Sequence, residues 1–187
     1  LVDAMYTVCD SIAYEYQKNY DVNCDVLMNL PYFENLSPHP VDNGTIKMIH
    51  HGGLNPSRRM ENMIYLMDQL DSRFKLDFML VENDSQYLKK LKNIAASRPN
   101  IKFIDPVPML QISKKINTYD IGLFLLWPGA FSYKMALPNK LFEFVQARLA
   151  VVTWPSPEMA KIVKENDIGI VSNQYTVDSI AADMNRL

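Results

Sequence analysis

Cysteine is nearly absent from this sequence: 187 residues contain two, Cys9 and Cys24. A scaffold stapled by disulfides is thereby excluded. In a chain with 11 methionines and almost no net charge, the two are expected to be unpaired thiols of a reducing compartment. An excess of one charge is missing as well, since 19 Lys and Arg face 21 Asp and Glu for a formal net charge of −2. Without a basic stripe, nucleic acid is not expected as a partner. No apolar run approaches the roughly 20 residues of a membrane span, and the first residues lack the charged-then-apolar pattern of a signal peptide. Glycine is scarce too, with six residues, and the pair Gly52–Gly53 lacks the G-x-G-x-x-G spacing of a dinucleotide site. Neither a Cys/His cluster nor an H-E-x-x-H, G-x-S-x-G or P-loop pattern occurs, so no metal site is expected and the corresponding hydrolases and NTPases are disfavoured.

What is present is an ordinary globular balance, 48% hydrophobic and 21% charged, in a chain long enough for a sizeable core. From residue 46 onward, short apolar runs alternate with stretches of helical spacing. The runs are IKMIHH, LDFMLV, IKFI, DIGLFLLW, LAVVT and IGIVS. The intervening apolar faces are Met60, Met63, Ile64, Met67 and Leu70; then Tyr87, Leu88, Leu91, Ile94 and Ala95; then Met109, Ile112, Ile116 and Tyr119. Leu141, Phe142, Val145 and Leu149 form a fourth face, and Met159, Ile162 and Val163 a fifth. Pro138 suits a first helical position, and Ser156 followed by Pro157 reads as N-cap and first residue. Nearly continuous apolar strands separated by helices predict an α/β fold, a Rossmann-like doubly wound parallel sheet covered on both faces.

The first 45 residues differ. AMYTV, DSIAYEYQKNY and DVLM predict strand, helix and strand, and NLPYFENLSPHPVDNGT has little periodicity. Residues 1–28 are expected to be the end of a preceding domain, 29–44 a linker, and 45–187 a second domain; a long surface loop within one domain is the alternative. The sequence begins with Leu1, and Ile180, Ala181, Met184 and Leu187 hold a helical spacing to its last residue. A piece of a longer protein is therefore expected.

In an open parallel sheet, ligands bind beyond the carboxyl ends of the strands. After the first strand of the second domain comes HGGLNPSRRMENM, where Gly52 and Gly53 permit close backbone approach and Arg58 stands beside Arg59 near a helix start. A guanidinium there is a fork for phosphate; a solvated arginine pair fits the same pattern. The stretch ALPNKLFEF then places Asn139 and Lys140 at a helix N-terminus, which attracts phosphate, and Glu143 about one turn in. A carboxylate there suits the vicinal hydroxyls of a ribose, or an ordinary contact with Lys140. DPVPMLQIS is a stiff turn fit to wall a pocket. His50 and His51 are neighbours on a strand and point to opposite faces, so one of them is a candidate to line the cleft.

With these positions set out, the chain resembles the donor-binding half of the GT-B-fold retaining glycosyltransferases of group 1. IHHGGLNPSRRMENMI is similar to the family's G-R-L-x-x-x-K-G segment, and LPNKLFEFVQARLAVVT to its E-A-M-A-x-G-x-P-V-V region. The resemblance implies that Glu143 holds the ribose of a nucleotide-diphosphate sugar, while Arg58 and Lys140 neutralise the departing diphosphate. It places Gly52, Gly53, Glu82, Asn83 and Asn139 along the donor cleft and Met109 beside the base. No cofactor or metal is required on this view. The implied partners are the nucleotide-sugar donor and a glycan or lipid-linked acceptor held by an N-terminal domain. The implied activity is sugar transfer in bacterial polysaccharide or glycoconjugate synthesis, in the cytoplasm, with peripheral association at the inner membrane face left open to the full-length protein. Four positions depart from the family pattern: Met135 replaces the first of two glutamates eight apart, Gly53 the arginine of G-R-L, and Arg148 and Ala150 the glycine and proline of G-x-P. A non-catalytic sugar-nucleotide-binding domain and a GT-B-fold sugar-nucleotide epimerase are the alternatives.

Overall fold

The computed structural model describes residues 3–42 and 44–187; Leu1, Val2 and Asn43, which the expected domain remnant and linker include, lie outside the described residues. Two short strands, Tyr6–Thr7 (β1) and Asp25–Val26 (β2), pair in parallel around the helix Asp10–Tyr20 (α1). The segment after β2 carries no helix or strand until an isolated bridge joins Asp42 to Thr45. From there strands and helices alternate as expected: Ile46–Gly53 (β3), Glu61–Leu66 (α2), Phe74–Val81 (β4), Ser85–Ala95 (α3), Ile101–Ile104 (β5), Ile112–Ile116 (α4), Ile121–Phe124 (β6), Phe131–Lys134 (α5), Asn139–Gln146 (α6), Ala150–Thr153 (β7), Pro157–Glu165 (α7), Gly169–Val171 (β8) and Val177–Met184 (α8).

The six main strands form one sheet in the order β5-β4-β3-β6-β7-β8, every pair parallel. This is the doubly wound order, and its direction reverses between β3 and β6. Buried residues separate into two cores, as a sheet covered on both faces requires. One joins Met63 and Ile64 of α2, Leu91 of α3 and Ile180 of α8 to Met48, Leu76 and Leu123. The other joins Ile116 of α4, Leu141 and Phe144 of α6, and Met159 and Val163 of α7 to Ile49, Phe124 and Val151. Cys9 is buried in this second core, and both cysteines are free thiols.

Three expectations need correction. Pro138 is the extended N-cap of α6 rather than its first helical residue, because its ψ of 150° has not yet entered the helix. The inner face of α6 carries Lys140, Leu141 and Phe144, with Phe142 and Val145 only half-buried, because the helix is rotated so that Phe144 lies on the sheet. Met109 leaves its expected stripe and is 71% exposed, since a separate 3-10 turn, Met109–Gln111, precedes α4. Ser156 and Pro157 cap α7 as expected, although the buried Ser156 hydroxyl makes no capping hydrogen bond.

The rotation of α6 has a specific cause. A Cβ on Gly122 of β6 would overlap the Phe144 ring, so only glycine admits the helix at this distance. Gly122→Ala is therefore expected to destabilise the fold by about 1–3 kcal/mol through overpacking. Phe144→Leu in the same chain should return part of that loss. Urea denaturation of the two single variants and the double variant checks this, and strict additivity would show that the two residues do not compete for space.

Candidate functional site

The switch in strand order puts the carboxyl ends of β3 and β6 side by side, where ligands of this architecture bind. At the end of β3 the backbone passes through Gly52 at φ +118° and Gly53. Asn55 then caps the 3-10 turn Pro56–Arg58, its side-chain oxygen accepting from the Ser57 N–H. Arg59 ends that turn in the left-handed region at φ 51°, with its guanidinium 4.2 Å from the centre of the Trp127 ring. Arg58 instead turns inward, Nη1 lying 3.5 Å from the Gly53 carbonyl oxygen.

Opposite this loop, α6 carries the residues of the NKLFE stretch. Lys140 is buried at 7% exposure, and its Nζ has no hydrogen-bond partner among the described residues. The amine lies 4.4 Å from the centre of the Phe124 ring, and a Cβ on Gly52 would stand 3.1 Å from it. The glycine is thus what leaves the amine room. Burial, reinforced by the charge of Arg58 and opposed by that of Glu143, pushes the Lys140 pKa down to about 7.

Glu143, one turn further on, is held above the usual carboxylate range by burial, against the pull of Lys140. Its Oε2 lies 3.4 Å from His51 Nε2, yet that nitrogen forms no hydrogen bond. Burial and then the Lys140 charge push His51 down to about 3, so the imidazole is neutral near pH 7 and the contact is not an ion pair. The His51 ring stands edge-on to Phe144, 5.2 Å between centroids. His50 occupies the other face of β3, with Nδ1 2.9 Å from the Leu123 carbonyl oxygen and its ring beside Phe78 and Phe124. Strand alternation alone anticipated that the two histidines separate; that His51 is the one meeting Glu143 depends on where α6 packs.

A cavity of about 660 Å³ opens next to α6. Asn139, Glu143 and Ser113 supply polar groups to its lining, which Met109 and Leu110, together with Asn29, Leu30, Pro31, Tyr32 and Glu34, complete. The expected site residues accordingly fall into two linked groups. Gly52, Gly53, Arg58 and Lys140 gather at the end of β3, with Asn83 Nδ2 3.7 Å from where a Cβ of Gly53 would be. Asn139, Glu143 and Met109 line the cavity, joined to the first group through Lys140 and His51. Glu82 belongs to neither, because it lines a separate hollow with Lys92, Phe103 and Asp105. Among the described residues, no three His, Cys, Asp or Glu side chains come together as a metal site.

No protein-family model matches the sequence, and no curated protein does. Solved structures do resemble it. S. aureus TarM, in a complex with fondaparinux, alpha-GlcNAc-glycerol and UDP, superposes with a TM-score of 0.74 at 11% identity, over 100% of this chain and 37% of that one. WaaG, a glycosyltransferase of lipopolysaccharide biosynthesis, gives 0.68 at 12% identity over 97% of this chain and 52% of its own. Anabaena HepE, in complex with UDP and glucose, gives 0.60 at 12% identity over 97% and 43%. These neighbours are GT-B glycosyltransferases, and the α/β Rossmann-like fold of this chain matches theirs. The chain spans between 37% and 52% of their lengths. No helix among the described residues is long and apolar enough to cross a membrane.

The buried lysine has a measurable signature. Between pH 7 and 10.5 the unfolded chain binds a proton at Lys140 that the folded chain does not, so this residue makes stability rise with pH across that window. Lys140→Met is expected to stabilise the fold by about 1–4 kcal/mol at pH 6, with the advantage shrinking as the pH climbs through the window. Urea titrations of both proteins at several pH values measure the difference, and a pH-independent gap would contradict a charged amine in the interior.

Proposed function

We propose that this chain is the nucleotide-sugar-binding part of a glycosyltransferase, a protein that moves a sugar from a nucleoside-diphosphate sugar to an acceptor. One observation carries the reading: the Glu143 carboxylate, the Arg58 guanidinium and the buried Lys140 amine converge at the switch point of a doubly wound parallel sheet, beside a cavity of nucleoside size. The UDP bound in the TarM and HepE structures supports the choice of ligand class.

On this reading Glu143 accepts the hydroxyl protons of the ribose in hydrogen bonds, Asn139 assists at the first residue of α6, and the Met109 turn flanks the base. The diphosphate faces Arg58 and the Gly52–Gly53 turn, where backbone can approach an anion closely. As the bond from the sugar to the diphosphate breaks, negative charge builds on the leaving oxygen. Arg58 and Lys140 stabilise that charge, which removes the need for a metal or cofactor. Residues 1–28 are read as the end of an acceptor-binding domain and 29–44 as the linker. The acceptor is a glycan or lipid-linked glycan held by that further domain, in polysaccharide or glycoconjugate synthesis at or near the inner membrane face. A second reading, a donor-binding domain without transfer activity, is favoured by Met135, which puts no acid where the family has its first glutamate.

Calorimetric titration with UDP, GDP, ADP and CDP is the test. One nucleotide is expected to bind, and Arg58→Ala and Glu143→Ala should each weaken it by about 1–3 kcal/mol. Because an anion beside Lys140 raises its pKa from about 7, binding takes up a proton, and affinity is expected to decline as the pH rises from 7 to 9. A folded chain that binds none of the four nucleotides overturns the reading. The 187-residue chain by itself is expected to bind donor without transferring sugar.

A further inference from the structure

The segment expected to be a passive linker is fastened to the domain it precedes. Asn117 Nδ2 donates to the Ser37 carbonyl oxygen at 2.9 Å, Arg148 Nε to that of Leu36 at 3.0 Å, and the buried Gln146 amide to that of Glu34. Lys114 and Glu34 add an ion pair at 3.2 Å. Arg148 makes its contact from the left-handed region, at φ 64°. A residue with a Cβ adopts that conformation at a cost that glycine does not incur. Its side chain is what fastens the strap.

So fixed, Asn29, Leu30, Pro31, Tyr32 and Glu34 line the cavity that also holds Glu143. Around that cavity stand four apolar side chains left largely in water: Leu30 at 55% exposure, Tyr32 at 78%, Met109 at 71% and Leu110 at 64%. Large apolar groups that line one cavity together with the polar groups of Asn139 and Glu143 match a flat ring carried on a hydroxylated, charged group. Resting on the proposed function above, we propose that Tyr32 is a base-binding residue: the base of the donor nucleotide packs between Tyr32 and the Met109–Leu110 turn. Arg148 is then a positioning residue, which acts by holding the strap in place.

Titration of the chain with UDP and, separately, with pyrophosphate tests this. Tyr32→Ala is expected to weaken UDP about tenfold, the scale of a lost aromatic stack, and to leave pyrophosphate unchanged because it has no base. Tyr32→Phe keeps the ring and should bind UDP as the parent does. Tyr32 is exposed, so these variants are expected to retain the parental melting temperature. If Glu143→Ala weakens UDP while Tyr32→Ala does not, the base wall is overturned and the nucleotide reading stands. An equal loss of UDP and pyrophosphate in Tyr32→Ala also overturns it. A parent chain that binds no nucleotide overturns both.

Discussion

The Phe144 ring rests on the backbone of Gly122, and the geometry of the site follows from that contact. In a helix, residues four apart share a face, so once Phe144 lies on the sheet Lys140 must point into it as well. Side chains also lean toward the helix N-terminus, which here is the end where β3 and β6 finish. A lysine at this position has nowhere to go but the interior. It finds the face of Phe124 and the hollow left by Gly52. Glu143, one residue before Phe144, is rotated just far enough to reach the cavity instead of the core.

The result is a site held in electrostatic tension. An unpaired ammonium taken out of water is costly, and the ring of Phe124 returns only about 2 kcal/mol of it. Burial accordingly drives Lys140, His51 and Glu143 toward their neutral forms. Arg58 aggravates this by placing a second cation beside the first. Such an arrangement is poor for stability; an anion between Arg58 and Lys140, as the diphosphate of the proposed function would be, removes their repulsion and restores the proton to the amine.

The sheet was legible because buried parallel strands must be continuously apolar, and IKFI fell on β5 residue for residue. The run DIGLFLLW shows the limit: Leu125 and Leu126 are buried but lie beyond β6, so burial without pairing looks the same in sequence. The inner face of α6 was misread because a lysine sits in the middle of it, and periodicity counts a lysine as polar wherever it points. Spacing put Asn139 at the start of α6 with Glu143 one turn in, and Arg58 in the turn after β3, where the structure has them; the roles that resemblance gives them belong to the proposal. Glu82 was not separated from Asn83, since which of two residues after a strand turns toward the cleft is decided by the loop. The fastened strap was invisible for a different reason: its acceptors are backbone carbonyls, which leave no mark in the order of side chains.

Two of the departures from the glycosyltransferase pattern, Arg148 and Ala150, acquire local causes in the structure. At the position of the pattern's glycine, Arg148 tolerates a left-handed backbone and uses its side chain on Leu36. Where the pattern has proline, the Ala150 N–H donates to the Asp120 carbonyl oxygen at 3.0 Å, a bond that proline has no hydrogen to make. Met135, in place of the first glutamate, accepts from Cys9 Sγ at 3.4 Å through its main-chain carbonyl oxygen, which any residue would offer, and nothing in the structure explains the methionine side chain. Of these, Arg148 alone uses its side chain on residues 1–44, at Leu36. Because Asn29, Leu30, Pro31, Tyr32 and Glu34 line the same cavity as Glu143, the bonds from Asn117, Gln146 and Arg148 to Ser37, Glu34 and Leu36 hold part of that cavity's wall as well as the segment itself.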